Sequence, residues 1–378
     1  MKNTKIWLSS PHMGGNEQKY VQQAFDANWV APLGPNVNLF EEKIQEYLKE
    51  DVHVAALSSG TAALHLALIL AGVERDDEVI CQSMTFSASA NPIAYQGAKP
   101  VFIDSENTTW NLDPNILEEA IKDRIAKGKK PKAIVAVHLY GMPYQHSEIK
   151  EISERYEIPV IEDSAEALGS SYNGKMCGTL GDFSILSFNG NKIITTSGGG
   201  ALVTKDKEIK DKAVFLATQA RDNAPHYQHS HIGYNYRLSN ISAGIGCGQM
   251  EVLAERVKQR RMIHEFYREL FADFPEIKLM EEPNEKYHSN FWLSTIVFDT
   301  FDGYEKREHL RTVLNNDFNI ETRPLWKPMH MQPVFEKAAY YGGEVAQELF
   351  MKGLCLPSGS NLSEEELERI QNAVKAVL

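Results

Sequence analysis

The chain has 378 residues, of which 43% are hydrophobic and 24% are charged, and its formal net charge at pH 7 is −12. A chain of this length can bury a large core and is long enough for two domains. The negative charge argues against nucleic-acid binding, which requires a basic surface, and no stretch approaches the ~20 apolar residues of a membrane-spanning helix.

The cysteine and histidine residues do not show the spacing that is typical of a metal site. The four cysteines form no CxxC pair, and we expect a reducing, cytoplasmic environment. The N-terminal apolar stretch is too short for a secretory signal. Three neighbouring histidines match no helical zinc motif, and we interpret them as part of a polar loop; they are His226, His229 and His231.

Two segments near the N-terminus, 17–29 and 37–48, have the apolar spacing of helices. From residue 52 to residue 204, short apolar segments typical of buried strands alternate with helical ones. The seven predicted strands are 52–57, 78–81, 100–103, 133–137, 158–161, 182–188 and 201–204. The alternation predicts an α/β fold with a mostly parallel seven-stranded sheet and helices on both faces.

The pattern changes after residue 204. Residues 239 to about 271 form a long helix-compatible segment, which we interpret as a connector. A smaller α/β segment follows, with a well-capped last helix and two predicted strands at 291–298 and 318–323. We therefore predict a large domain over residues 1–255, which includes the N-terminal helices, and a small C-terminal α/β domain over residues 256–378.

Ser59, Gly60 and Thr61 lie where a predicted strand leads into a helix. The N-terminus of a helix presents free backbone N–H groups and a favourable dipole to a phosphate. The same residues are equally compatible with ordinary helix capping. The pattern matches neither a P-loop nor a dinucleotide-binding fingerprint, so these residues alone leave both interpretations open.

Asp163 directly follows a buried predicted strand, at the edge where ligands bind in wound α/β sheets. A carboxylate there can hold a proton on a buried heterocyclic nitrogen. Phe86 follows another predicted strand and offers a flat face to an aromatic ligand. Taken alone, Asp163 could equally be an aspartate of a surface loop, and Phe86 could be an ordinary core phenylalanine.

Lys192 lies between two predicted strands and precedes three consecutive glycines, 198–200, whose backbone can approach a ligand closely. An amine in this position suits covalent chemistry on a carbonyl group, although a surface lysine in a turn is the alternative. A phosphate cradle, an aromatic face, a carboxylate and a lysine together are the parts that hold pyridoxal phosphate (PLP). Lys192 would form the Schiff base, and Asp163 would keep the pyridinium protonated so that the ring accepts electrons.

The chain resembles the DegT/DnrJ/EryC1/StrS family of sugar aminotransferases, which have the aspartate aminotransferase (PLP-dependent transferase type I) fold. The resemblance runs nearly from end to end. It is carried by the segments 29–35, 59–64, 162–166, 187–200, 233–237 and 328–333.

The resemblance implies roles for the residues around the cofactor. Lys192 would be the Schiff-base lysine and proton shuttle, Asp163 the pyridinium partner and Phe86 the stacking residue. The phosphate would be bound by Ser59, Gly60, Thr61 and Ser187.

The resemblance also implies a homodimer with active sites at the subunit interface, because Asn235 would reach the phosphate of the neighbouring subunit. Candidates for contacts with the substrate are Trp29, Arg237 and His330.

The sequence departs from the family pattern at Glu166, where relatives often have a glutamine or histidine that contacts the ring hydroxyl of the cofactor. A carboxyl group there must be protonated or differently partnered. The run 188–198 resembles the branch that aminates C4 of UDP-4-keto-6-deoxy-N-acetylglucosamine. Related dehydratases replace the lysine with histidine, whereas this chain keeps Lys192.

These observations predict a PLP-dependent aminotransferase that moves an amino group from L-glutamate, which leaves as 2-oxoglutarate, to C4 of UDP-4-keto-6-deoxy-N-acetylglucosamine. One alternative is a C3 or C4 aminotransferase acting on a dTDP- or GDP-linked keto sugar. Others are a different PLP reaction on an amino acid, such as a lyase, and a regulatory protein with the PLP fold but no turnover.

Overall fold

A computed structural model describes residues 4–378 of the chain, and within them twelve α-helices are present. The helices are, in chain order, α1 (Glu17–Asp26), α2 (Pro35–Leu48), α3 (Gly60–Leu70), α4 (Asn91–Tyr95), α5 (Pro114–Ala126), α6 (His146–Tyr156), α7 (Lys207–Ala217), α8 (Asn240–Met250), α9 (Leu253–Phe271), α10 (Gly303–Asn316), α11 (Val345–Lys352) and α12 (Glu364–Val377). None of these helices is long and apolar enough to cross a membrane.

The strands of the described residues form three separate sheets. In chain order they are β1 (His53–Leu57), β2 (Glu78–Gln82), β3 (Lys99–Ile103), β4 (Ala133–Val137), β5 (Val160–Asp163), β6 (Ser171–Tyr172), β7 (Lys175–Met176), β8 (Phe183–Ser187), β9 (Gly200–Thr204), β10 (Ile277–Leu279), β11 (Tyr287–His288), β12 (Thr295–Phe298), β13 (Arg323–Pro324), β14 (Ala339–Tyr341) and β15 (Gly353–Cys355).

The largest sheet has the strand order β1-β9-β8-β5-β4-β2-β3-β14. All its strands run in one direction except β9, which is antiparallel to β1 and β8, so the predicted α/β fold with a mostly parallel sheet is confirmed. Seven of its strands are the predicted ones. The eighth, β14, comes from the C-terminal third of the chain and was not predicted, because three residues at a sheet edge are too few to show a periodic pattern.

Side chains of the central strands alternate between two buried clusters, one on each face of the sheet. In β4, Ala133 and Val135 pack on the side covered by α3, whereas Ile134 and Ala136 pack on the side covered by α5 and α6. Because both faces are covered, the central strands consist of continuous apolar residues, which is why they could be recognised in the sequence.

The helix-compatible segment 239–271 forms two helices and not one, because Glu251 and Val252 separate α8 from α9. The two helices pack against different partners. The glycines of α8 lie against α1 and α2, where a Cβ at Gly246 would meet the Phe40 ring. Farther along α9, Tyr267 belongs to the C-terminal core. The break between α8 and α9 allows each helix to pack against its own partners.

The C-terminal part contains the antiparallel sheet β10-β12-β15-β13, and the third sheet is β11-β6-β7. The strand predicted at 291–298 begins only at Thr295, because Phe291 has a positive φ of 44°. The strand predicted at 318–323 is reduced to β13 and one isolated bridge between Ile6 and Ile320. The proposed domain boundary at residue 255 falls within α9 and stays a prediction.

Candidate active site

A cavity of about 310 Å³ opens at the carboxyl edge of the large sheet, beside the N-terminus of α3. Carboxyl ends of parallel strands meet at this edge, which brings together side chains distant in sequence. Eight residues predicted to bind the cofactor line the cavity: Ser59, Gly60, Thr61, Phe86, Asp163, Glu166, Ser187 and Lys192. Residues that sequence reasoning missed also line it, among them Ser89, Trp292 and Trp326.

The first turn of α3 forms one end of the cavity. The Ser59 hydroxyl accepts a hydrogen bond of 3.0 Å from the backbone N–H of Ala62, so Ser59 is the N-cap of the helix. The capping interpretation is therefore correct, and it leaves the N–H groups of Gly60 and Thr61 at the open end of the helix. A Cβ at Gly200 would collide with the backbone of Ser59 and Gly60, so glycine permits this close approach.

Asp163 is the last residue of β5, and it is 5% exposed. Its Oδ2 accepts a hydrogen bond of 2.6 Å from Ser89 Oγ, and its Oδ1 accepts one of 3.1 Å from the backbone N–H of Ala165. Burial raises the pKa of Asp163, and the two donors and the nearby Lys192 oppose that shift. A carboxylate can accept about four hydrogen bonds, so Asp163 retains acceptor capacity toward the cavity.

The adjacent Glu162 is fully buried and points away from the cavity. Its carboxylate accepts six hydrogen bonds, from the side chains of His138, Ser164 and Ser184 and the backbone N–H groups of Gly178, Leu180 and Gly181. Burial opposes ionisation of Glu162, but these donors outweigh it and lower its pKa to about 2. These hydrogen bonds fix the end of β5 and, with it, the backbone of Asp163.

His138, Glu162 and Cys177 are close enough together to resemble a metal-binding cluster. However, the His138 and Glu162 atoms that could bind a metal are engaged in hydrogen bonds. His138 Nδ1 accepts from the backbone N–H of Tyr144 at 3.1 Å, so its Nε2–H donates to Glu162 at 2.7 Å. With both ring nitrogens and the carboxylate already engaged, the cluster is a hydrogen-bonded part of the core.

Lys192 points into the cavity, and its side chain is only 12% exposed. Its Nζ lies 3.5 Å from Glu166 Oε1 and 4.2 Å from the centroid of the Trp292 ring. The Trp292 Nε1–H donates to the carbonyl oxygen of Asn191 at 2.8 Å, which fixes the backbone next to the lysine. The alternative of a surface lysine in a turn is therefore excluded by the structure.

Phe86 also faces the cavity and is 53% exposed, so it is not a core residue. Its ring lies 5.5 Å from that of Trp326. The Trp326 backbone N–H in turn donates to Tyr140 Oη at 2.8 Å, so a segment distant in the chain is held against the cavity. One exposed aromatic ring is thus available to the cavity.

The remaining predicted site residues do not line the cavity within one chain. Asn235 is exposed on the segment before α8, and Trp29 is 40% exposed. Arg237 forms an ion pair with Glu41, and His330 Nδ1 lies 2.7 Å from Ser83 Oγ. The predicted contacts of these residues with the substrate or the partner phosphate stay predictions.

Known proteins resemble the chain over nearly its whole length. The sequence model of the DegT/DnrJ/EryC1/StrS aminotransferase family matches residues 11–375. The chain is 51% identical to a Bacillus subtilis (strain 168) protein named "Putative pyridoxal phosphate-dependent aminotransferase EpsN", over 97% of this chain and 94% of that protein. It is 38% identical to the GDP-perosamine synthase of Escherichia coli O157:H7, over 96% and 95% of the two chains.

The fold has also been solved in similar proteins. The crystal structure of a DegT DnrJ EryC1 StrS aminotransferase from Brucella abortus superimposes with a TM-score of 0.88 and 29% sequence identity, covering 96% of this chain and 95% of that chain. The predicted type I fold is therefore confirmed.

Proposed function

We propose that this chain, which belongs to the DegT/DnrJ/EryC1/StrS aminotransferase family, transfers an amino group from L-glutamate to the keto carbon of a nucleotide-linked keto-deoxy sugar. The chain is a PLP-dependent sugar aminotransferase. The observation that carries the proposal is the meeting of Lys192, Asp163 and the N-terminus of α3 in one cavity. Bound PLP supplies an electron sink, which allows an amino group to be moved between carbon atoms.

The residues around the cavity fit this cofactor. The open N–H groups at Gly60 and Thr61 suit a phosphate dianion, and the Ser187 side chain lies beside them. Asp163 has fewer donors than its neighbour Glu162 and is buried, so a ring N–H would both satisfy and stabilise its carboxylate.

Three side chains would act on the reacting groups. Lys192 Nζ would bond to the cofactor in the resting enzyme and, once released, would carry a proton to and from the substrate carbon. The Asp163 carboxylate would hold a proton on the ring nitrogen. The Phe86 ring, which is open to the cavity, would cover one face of the ring.

For the acceptor, we propose C4 of UDP-4-keto-6-deoxy-N-acetylglucosamine, giving the UDP-linked 4-amino-4,6-dideoxy sugar. The support is the run 188–198, which contains Lys192 and resembles that branch of the family. A GDP-linked keto sugar is the second candidate, and the 38% identity to a GDP-perosamine synthase favours it.

Cofactor uptake tests the assignment first. The purified protein should take up PLP and show a visible absorption band that is absent from Lys192→Ala. The matched control is Lys150→Ala, which removes an exposed lysine outside the cavity and should keep the band. A wild-type protein that takes up no PLP would contradict the proposal.

Product analysis then separates the alternatives. The loaded protein is incubated with labelled glutamate and a panel of UDP-, dTDP- and GDP-linked keto sugars, and products are identified by mass and NMR. Label transferred to a nucleotide sugar supports an aminotransferase and names its acceptor. Label transferred only to amino-acid acceptors would indicate a different PLP reaction, and absence of even a single turnover would indicate a regulatory protein.

A further inference from the structure

The carboxyl group of Glu166 is the nearest ionisable partner of the lysine in the cavity. Its Oε1 lies 3.5 Å from Lys192 Nζ, and both side chains are largely buried, at 5% and 12% exposure. Glu166 stands in the turn directly after β5, four residues from Glu162, and Asn290 Nδ2 holds that turn by donating to the Glu166 carbonyl oxygen at 3.0 Å. The contact between Lys192 and Glu166 therefore joins two segments whose backbones are held by other hydrogen bonds.

The two oxygens of the Glu166 carboxyl group have different partners. Oε2 accepts a hydrogen bond of 2.7 Å from the backbone N–H of Tyr140. Tyr140 has a φ of 55°, which is unusual for a bulky residue, and its ring is completely buried. Because Oε2 must remain an acceptor for this fixed N–H, a proton on Glu166 has to sit on Oε1, the oxygen that faces Lys192.

The other ionisable groups around the pair do not replace either partner. Asp163 faces both residues and is engaged by Ser89, while Tyr140 and Cys355 are the remaining groups close to Glu166. Burial raises the pKa of Tyr140 well above its ordinary value and that of Cys355 to about 12, so both stay neutral at physiological pH. Burial also raises the pKa of Glu166, and Lys192 opposes that shift.

We propose that Glu166 is the internal proton partner of Lys192. The proton of the Lys192 ammonium group would pass from Nζ to Glu166 Oε1, which would free the nitrogen lone pair for attack on a carbonyl carbon. The bond from nitrogen to carbon would replace the carbonyl bond, and the oxygen would leave as water. The proton returns to Nζ when the lysine is released as an amine. The inference rests on the proposed function, since it concerns the same cavity and the same lysine.

An internal transfer has a specific consequence for pH dependence. The pair holds one proton whether it exists as ammonium and carboxylate or as amine and carboxylic acid, so the fraction of free amine does not change with pH while the pair keeps that proton. In Glu166→Gln the proton must instead be lost to solvent. The fraction of free amine then rises about tenfold per pH unit below the pKa of the amine.

The experiment measures cofactor uptake, in which the lysine must attack the carbonyl group of PLP. Full-length wild type and Glu166→Gln, both freed of cofactor, are mixed with PLP between about pH 6 and 8, across the range where ordinary histidines and phosphates titrate. The growth of the visible absorption band gives the rate. Since the phosphate of PLP also titrates, the quantity compared is the ratio of the variant rate to the wild-type rate.

We expect this ratio to rise with pH, approaching tenfold per unit, and to be well below one at the acid end. A ratio that is constant over the range would overturn the proposal, because a merely structural role changes the rate by one factor at every pH. Glu166→Asp, which retains an acid, should flatten the ratio again. Glu321→Gln changes a buried glutamate outside the cavity; it is the matched control and should give a ratio of one.

The two proposals fail in different ways. If wild type takes up no PLP, the proposed function is wrong. If wild type takes up PLP and the Glu166→Gln ratio is constant with pH, only the proton partnership is wrong. Circular dichroism and the urea midpoint of each variant establish that the compared proteins are folded.

Discussion

The Trp292 ring packs against the amine of Lys192, with its centroid 4.2 Å from Nζ. The indole N–H of Trp292 also donates a hydrogen bond to the carbonyl oxygen of Asn191, the residue before the lysine. The tryptophan is 1% exposed and enters the cavity from a segment one hundred residues further along the chain than the lysine (292 − 192). The position of the lysine therefore depends on a contact between distant parts of the sequence.

The Trp292 contact predicts graded effects of substitution. Trp292→Phe keeps an aromatic face but loses the hydrogen bond to Asn191, which typically contributes about 0.5–1.5 kcal/mol. We expect kcat/KM for glutamate to fall about two- to tenfold for this variant, which is the same energy expressed as a rate. Trp292→Leu also removes the aromatic face and should lower kcat/KM further. Equal kcat/KM in the two variants would show that the ring does not act on Lys192.

Site residues could be predicted from the sequence where they lie next to a recognisable strand. They could not be predicted where their position depends on contacts between distant segments. Ser59, Asp163 and Lys192 stand at or shortly after the ends of strands that the apolar pattern marks clearly, so their placement at one sheet edge followed from local order and α/β topology. Trp292 lies after β11, where Phe291 interrupts the strand pattern with a positive φ. No local signal connects Trp292 to the lysine.

The same limit applies to the fold. The strands of the large sheet are buried on both faces and could be recognised one by one, whereas β14 joins the sheet only through its pairing with β3. The break between α8 and α9 has no proline, and it follows from the partners of each helix. Glu166 stood out in the sequence only as a departure from the family, and its contact with Lys192 required coordinates.

The hydrogen bond from Ser89 to Asp163 predicts a shift in the pH profile. Burial raises the pKa of Asp163, and the 2.6 Å bond from Ser89 Oγ opposes that shift by stabilising the ionised form. In Ser89→Ala the pKa of Asp163 should rise further, so the acid limb of the kcat/KM profile should move to higher pH. Activity should fall most at the acid end and recover toward wild type as the pH rises.

The control for this prediction is Ser89→Thr, which keeps a hydroxyl group and should leave the acid limb closer to its wild-type position. A uniform loss of kcat/KM at every pH in Ser89→Ala would contradict the assignment. It would mean that Ser89 contributes only to packing in this part of the cavity.

Glu162 predicts a pH-dependent contribution to folding. Its pKa is lowered from 4.5 to about 2 in the folded protein, because its six donors, with His138 the largest, outweigh the opposing effect of burial. Since the folded-state pKa lies below the unfolded one, the ionised carboxylate stabilises the fold above about pH 4.5. This stabilisation is lost as the pH falls toward 2.

Glu162→Gln should lower the free energy of unfolding at pH 7 by about 3–5 kcal/mol, the range for breaking a buried charged network. Urea unfolding measures this difference, and repeating it at decreasing pH should show the difference between wild type and variant shrinking below pH 4.5. A difference that stays constant with pH would show that the carboxylate is not ionised in the folded protein.

The glycine run after Lys192 offers a matched pair of substitutions. A Cβ at Gly200 would collide with the backbone of Ser59 and Gly60, which cannot move without disturbing the first turn of α3. A Cβ at Gly198 would meet nothing within 4 Å. Gly200→Ala should therefore destabilise the fold by about 1–3 kcal/mol and weaken PLP binding, whereas Gly198→Ala should leave the stability near wild type. A PLP affinity of Gly200→Ala equal to that of wild type would argue against a phosphate site at this turn.

We further propose that the active unit is a homodimer in which Asn235 completes the phosphate site of the neighbouring subunit. The support is that Asn235 is exposed and does not line the cavity of its own chain. If it serves the partner, mixing Lys192→Ala with Asn235→Ala subunits creates dimers with one site intact in both residues. Random mixing should restore about a quarter of wild-type activity, since half of the dimers are mixed and each has one working site. If Asn235 serves its own chain, mixing should restore nothing above the residual activity of Asn235→Ala.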